Sequence, residues 1–317
     1  MSFIQPGRHT LKTILAFAAI YFIWGSTYLA LKQALESIPP FLLMGTRSVI
    51  AGIILYSWGR YRTGERVQSF HWPSLIVIGV LFFLLGHGGL AWGQQRVSSG
   101  VAALLIAPEP IWIAAIEWMM IRNFRMGARG MLGLLFGLAG IVVLIDPMEA
   151  FGSGSVDLIG SMVILLAAIS WSSGAVYLRV ARLPKSPAIT AGAELLIGGT
   201  FLILTSVVTG ESLRGNITLT SLLSLAYLIV FGSIIAFSSY VWLLKTTSAT
   251  RVATHTYVNP IIAVALGWAF AGEEITVTIA LTSILIIASV YFVLKDQMTR
   301  PGEHAVRRFD EQGNGSD

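Results

Sequence analysis

The sequence predicts an all-α integral membrane protein: ten transmembrane helices arranged as two inverted five-helix repeats. Three observations carry this expectation. Of 317 residues, 55% are hydrophobic and 12% charged. An average soluble domain carries roughly 25% charged residues, so this chain cannot cover a water-facing surface. Ten apolar runs approach the roughly 20 residues that cross a hydrocarbon core as a helix. The second half of the chain also repeats the spacing of rare residues in the first.

The runs fall at 11–31, 40–59, 72–94, 98–121 and 129–145, then at 156–178, 187–210, 219–244, 248–271 and 275–294. The first is too long for a signal peptide and lacks a small-residue cleavage site, so it reads as an uncleaved helix. The second opens at Pro40 and is closed by Arg60 and Arg62. The third holds Gly86-His87-Gly88-Gly89, where small neighbours leave space around an imidazole. In the fourth, Pro108 and Pro110 flank Glu109 and remove backbone donors, which predicts a broken helix of the kind that lines transporter cavities. The fifth carries a small-residue stripe, Gly133, Gly137 and Gly140, expected at a close helix contact. Residues 152–155 read as a linker between the halves. The sixth run holds Trp171, the seventh Glu194, the eighth Trp242, and the ninth His255, Tyr257 and Asn259-Pro260. The tenth closes at Lys295, and the polar residues 296–317 read as a disordered cytoplasmic tail. The expected domains are thus residues 1–150 and 151–295, followed by that tail.

Orientation follows from Lys and Arg in the short loops. Seventeen of the 21 fall on one side: at the N-terminus, after runs two, four, six and eight, and in the tail. Lys32, Arg96 and Arg214 fall on the other side, and Arg47 lies within a run. Both termini are therefore expected in the cytoplasm. The net charge of +5 is spent on topology, so nucleic acid is not an expected partner. No Cys is present, which excludes disulfides and Cys-ligated metal.

Shifting the chain on itself by 147 residues places Trp24 on Trp171, Gly45 on Gly192, Gly52 on Gly199, and Arg47 on Glu194. A shift of 150 places Trp92 on Trp242, Ser98 on Ser248, Pro110 on Pro260, and Trp118 on Trp268. Five spans per repeat insert the second copy upside down. Two equivalent halves of opposite orientation supply inward-open and outward-open states by exchanging conformations.

The stretches IWGSTYLALK in run one, GTRSVIAGIIL in run two and VATHTYVNPIIAVALGWAFAGEE across run nine resemble the drug/metabolite transporter superfamily. The resemblance is to its ten-helix EamA-type branch, close to the YedA and PecM types of bacterial inner-membrane exporter, and covers residues 11–294. Two departures stand out. A Gly-Glu pair usually closes the fourth span; here Arg122-Asn123 stands there, whereas Gly272-Glu273 closes the ninth. Before Pro110 the family usually has an apolar or hydroxyl residue, and here it is Glu109. The resemblance implies a central cavity lined by both repeats, and export of small amphipathic metabolites.

An ionisable group in the bilayer costs roughly 2.5–3.5 kcal/mol on insertion scales, so each needs a protein or water environment. By that argument His87 and Glu109 are expected to pair across consecutive helices as the polar part of the site. An imidazole titrates near neutral pH, so such a pair suits proton exchange. Arg47, Glu194 and His255 are expected in gating or charge-pair roles, with Arg47 and Glu194 not in contact. Glu117 is expected to pair locally with Arg122, its neighbour within about a turn. Trp24, Thr27, Tyr28, Trp112, Trp171, Tyr257 and Asn259 are the other expected substrate-binding residues, although core packing explains any single Trp equally well. Trp58, Trp72 and Trp268 fit an interfacial belt.

No phosphate-binding G-x-x-x-x-G-K-[ST] loop, H-E-x-x-H or G-x-S-x-G is present, so a pump or an enzyme is not expected. No filter repeat suggests a channel. No cofactor or metal is expected. The reading is a secondary active transporter, proton-linked, exporting amino acids, aromatic compounds or drug-like molecules across a bacterial inner membrane. Its partners are the small-molecule substrate, the lipid bilayer and protons, with room for a homodimer. The alternatives are an uncoupled facilitator or a substrate-binding membrane sensor of the same fold.

Overall fold

A computed structural model describes residues 8–120, 127–145, 157–213, 215–247 and 249–298. The described residues form helices and turns and contain no strand. In chain order the helices are α1 (Leu11–Ala34), α2 (Pro40–Thr63), α3 (Ser69–Gln94), and α4 in two pieces (Ser99–Ile106 and Glu109–Met120). Then follow α5 (Ala128–Ile145), α6 (Leu158–Leu178), α7 (Pro187–Val208) and α8 (Leu219–Thr246). α9 is built from Ala249–Val252, Ala253–Tyr257 and Asn259–Ala271, and α10 is Val277–Met298. Among the described residues, seven helices, α1–α4 and α6–α8, are long and apolar enough to cross a membrane. α5 and α10 offer the shorter apolar stretches Ala128–Leu144 and Val277–Phe292.

Two expectations change here. α10 runs through residues 296–298, the first three residues of the expected tail. Asp296 is buried and accepts from Gly127 N at 2.8 Å, which ties the end of α10 to the start of α5. Residues 299–317 and the expected linker at 152–155 lie outside the described residues. Glu117, 3% exposed, meets Arg179 of α6 at 3.0 Å. Arg122, its expected partner, lies outside the described residues.

Packing follows a reciprocal plan. α2 lies along α7, and α5 along α10. α3 packs on α6 as α8 packs on α1, and α4 packs on α6 as α9 packs on α1. The α2–α7 seam shows why glycine is needed. A Cβ on Gly45 would meet the Gly199 carbonyl at 3.2 Å, and one on Gly52 would meet the Gly192 carbonyl at 3.0 Å. The two backbones run in opposite directions and touch through four glycines, which only residues without side chains allow.

Chain ends are closed the same way. α2, α7 and α9 each stop at a glycine with positive φ, namely Gly64 (68°), Gly210 (67°) and Gly272 (65°). A glutamate follows each, turning back onto another helix. Glu65 accepts from Lys185 N (2.7 Å) and Ser186 N (2.8 Å) before α7. Glu211 accepts from Phe41 N (3.1 Å) and Leu42 N (2.9 Å) in α2. Glu273 accepts from Ser99 N (2.7 Å) and Gly100 N (3.2 Å) in α4. Each carboxylate satisfies donors that a helix start leaves without partners and favours the positive end of the helix dipole.

Irregular stretches fall in register too. α3 is π-helical over Gly79–His87 and α8 over Leu228–Phe237, stretches that begin 149 and end 150 residues apart. Pro108 interrupts α4, and Val258, 150 residues on, interrupts α9.

Candidate functional site: a buried carboxylate–imidazole pair in an aromatic cavity

The two breaks place polar groups at the middle of the bundle. Pro108 cannot donate a backbone hydrogen bond, and α4 restarts at Glu109. Ser172 Oγ of α6 reaches the Glu109 carbonyl at 3.4 Å while also donating to Ala168 O at 2.8 Å. In α9, Asn259 restarts the helix. With its amide oriented by its neighbours, it donates to Tyr21 O (2.8 Å), Ile20 O (3.3 Å) and His255 O (3.2 Å). Tyr21 and Ile20 belong to a π-helical turn of α1, Ala19–Ile23. Asn259 thus satisfies carbonyls that the wider turn exposes.

Glu109 is 2% exposed. Its Oε2 lies 3.5 Å from His255 Nε2, and its Oε1 accepts from Tyr240 OH at 3.4 Å. The same hydroxyl accepts from Trp171 Nε1 at 3.0 Å. His255 Nδ1 lies 2.9 Å from Val252 O. A carbonyl only accepts, so Nδ1 is the donor. Nε2 and the carboxylate then face each other favourably only when one proton lies on the pair, as imidazolium or as carboxylic acid.

Rings form the walls. The His87 ring lies 4.9 Å from Trp171, Trp171 meets Trp24 edge-on at 5.8 Å, and Trp24 meets His255 at 5.2 Å. Tyr240 lies 4.9 Å from Trp24. The half-open cavity, about 70 Å³, is lined by Trp24, Thr27, Tyr28, Leu31, Met44, Arg47, Gly86, His87, Leu90, Ile106, Glu109, Ala167, Trp171, His255 and Asn259. Arg47, 3% exposed, donates from Nε to Ser233 Oγ at 2.7 Å. Nδ1 of His87 is buried without a hydrogen-bond partner.

Of the expected substrate-binding residues, Trp24, Thr27, Tyr28, His87, Glu109, Trp171 and Asn259 share this cavity, and Arg47 and His255 join them. Trp112 instead packs in a neighbouring apolar cluster, its indole N–H unpartnered. The side chain of Tyr257 lies outside the described residues. Glu194 is wholly buried away from the cavity, with neither oxygen hydrogen-bonded. One turn earlier in α7, Thr190 Oγ1 accepts from Lys245 Nζ of α8 (2.7 Å), which also donates to Pro184 O (2.6 Å). Arg47 and Glu194 share no hydrogen bond or ion pair.

The expected His87–Glu109 pair is replaced by Glu109–His255. Consecutive helices are usually neighbours. Here, however, α3 packs chiefly on α6 and α7, whereas α4 packs on α6 and α9, which brings His255 to the carboxylate. Tyr240 was not among the expected site residues. Its signal was the repeat register, since it lies 150 residues after Leu90, another lining residue. Among the described residues no cluster of three or more His, Asp or Glu is placed to hold a metal.

A family model described as the EamA-like transporter family matches residues 11–146 and 158–295. The inner membrane transporter YedA of Escherichia coli K12 is 34% identical over 275 residues, covering 85% of this chain and 86% of YedA. A transporter of Synechocystis is 27% identical and covers 89% and 90%. A WAT1-related chloroplastic protein of Arabidopsis thaliana is 25% identical and covers 92% and 71%. A solved crystal structure matches with a TM-score of 0.64 at 20% identity, covering 89% of this chain and 97% of the other. That last likeness speaks for the fold.

Proposed function

Because the chain belongs to the EamA-like transporter family, we propose that it is a proton-linked secondary transporter. It exports small amphipathic metabolites (amino acids, aromatic compounds or drug-like molecules) across a bacterial inner membrane. The observation that carries this reading is the Glu109–His255 pair, buried in an aromatic cavity between two broken helices. A buried pair that needs one proton, beside space for a ligand, lets proton and substrate compete for one carboxylate. Ring faces suit the apolar part of an amphipathic molecule and the cationic part of an amine.

In this reading ten helices span the membrane, with both termini cytoplasmic, as inverted repeats of residues 1–150 and 151–295. The reciprocal helix contacts, the crossed glycine seam, the carboxylate caps at 65 and 211, and the paired breaks at 108 and 258 support that arrangement. Alternating access then exchanges the conformations of the halves.

Purified protein in vesicles loaded with a pH-sensitive dye tests the proposal. Members of a panel of amino acids, aromatic acids and amines are added one at a time under an imposed pH gradient. A coupled exporter moves protons when a substrate is present and accumulates it against its gradient. Substrate that equilibrates without proton movement makes the protein a facilitator. Binding without flux makes it a sensor.

A further inference from the structure

We propose that two ion pairs, Lys32–Glu273 and Glu117–Arg179, are the outer and inner gates of the central cavity and are counterparts under the internal symmetry. The inference rests on the transport reading above.

The cations correspond directly. Lys32 ends α1 and Arg179 ends α6, 147 residues apart in the repeat register, and Leu31 and Leu178 precede them. Lys32 meets Glu273 at 3.6 Å and Arg179 meets Glu117 at 3.0 Å. The carboxylates correspond in space although not in sequence. Residue 123, 150 before Glu273, is Asn. Glu117 instead corresponds to Gly267 of α9, and a Cβ built on Gly267 would collide with the Glu273 carboxylate. The place that one half fills from within its helix is therefore filled in the other half by a side chain folding back from beyond the helix end. Two different sequence solutions put a carboxylate at the same symmetric point.

The position of each pair relative to the cavity gives its role. Along α4, Glu117 lies eight residues beyond Glu109 toward the Arg-rich face. Along α9, Glu273 lies fourteen residues beyond Asn259 toward the opposite face. The cavity sits between the pairs. Each pair ties a broken helix to the helix on which that broken helix packs, α9 to α1 and α4 to α6. Opening a path on one face requires that these two helices part there, so one pair must break while the other holds.

The gates differ in strength. Glu273 also accepts from Ser99 N, Ser99 Oγ (2.8 Å) and Gly100 N, so it clamps α4 as well as α1. Glu117 accepts only from Arg179 among the described hydrogen bonds. The inner pair is the shorter, 3.0 Å against 3.6 Å, whereas the outer carboxylate carries the additional ties to α4.

The chain has no Cys, so single reporters test this directly. Leu31→Cys and Leu178→Cys, each next to a gate cation and 2% and 3% exposed, are labelled with an impermeant maleimide in right-side-out and inside-out vesicles. Glu117→Gln is expected to raise labelling at Leu178→Cys from the inner face about threefold, the shift that losing a partly exposed ion pair gives a two-state element. Labelling at Leu31→Cys falls in the same variant. Glu273→Gln gives the mirror result. Exchanging the partners, Glu117→Arg with Arg179→Glu, restores protection, which a merely loosened bundle does not do. The proposal is overturned if the reporters are unaffected, if both rise together, or if the exchange fails to restore protection. Unaffected reporters in a chain that still moves protons with substrate overturn the gates alone. Responsive reporters without substrate-dependent flux overturn the transport reading alone.

Discussion

Replacing Glu109 by Gln removes the exchangeable proton and little else. Gln has the same length, its amide oxygen still accepts from Tyr240 OH, and its NH₂ group faces His255 Nε2 where the carboxylate oxygen stood at 3.5 Å. The Trp24, Trp171 and Tyr240 rings are untouched. One carboxylate–imidazole pair in the cavity implies one proton per cycle. One pH unit across the membrane is worth about 1.4 kcal/mol per proton, which supports about a tenfold substrate gradient. Wild-type vesicles under a one-unit gradient are therefore expected to hold a radiolabelled substrate at about tenfold, and the Glu109→Gln variant at equality. Downhill exchange survives in the variant. The assay is steady-state accumulation read against the imposed pH difference. A variant that holds the wild-type gradient would show that Glu109 is not the coupling carboxylate, and the reasoning from the buried pair would fall.

Tyr240→Phe keeps the ring against Trp24 but strands Trp171 Nε1 and one Glu109 oxygen, a loss of about 1–3 kcal/mol; thermal unfolding in detergent checks it, and an unchanged midpoint removes the hydroxyl from the network. Gly199→Ala puts a Cβ 2.9 Å from Ser48 Cβ and from Val49 Cγ2 and N, so overpacking of the α2–α7 seam is expected to cost about 1–3 kcal/mol in the same measurement. Asp157→Cys is expected to react with an impermeant maleimide in intact cells and Arg125→Cys to stay protected; the opposite pattern ends the orientation argument.

Much of the site was legible because rare residues mark it. Trp24 and Trp171 lie too deep in their runs for an interfacial belt, and they face each other in the cavity wall. Pro108 and Asn259-Pro260 announced the helix breaks through lost donors and restricted backbone. The partner of Glu109 was not legible, because adjacency along the chain pointed to His87 whereas the folded chain packs α9 beside α4. The same blindness hid Arg179 from Glu117. The π-helical stretches left no compositional trace, since every residue in Gly79–His87 also suits an ordinary helix. Gly64-Glu65 and Gly210-Glu211 were in plain view, but only the folded chain shows that they do the work of Gly272-Glu273.

Glu109 and Asn259 fall 150 residues apart, at matching places in the repeat register, and this has a consequence for how such a molecule comes to exist. A five-span unit that dimerised with an inverted copy of itself would carry the same residue at both points. Two carboxylates there would line one water-poor cavity, where like charges resist ionising together. Two amides would leave nothing to titrate. Fusing the copies into one polypeptide frees each point to mutate alone, so one half keeps the acid while the other supplies Asn259 to hold the π-helical turn of α1. Under the proposed inverted repeat, a fused chain is the form in which a symmetric scaffold can house a single charge.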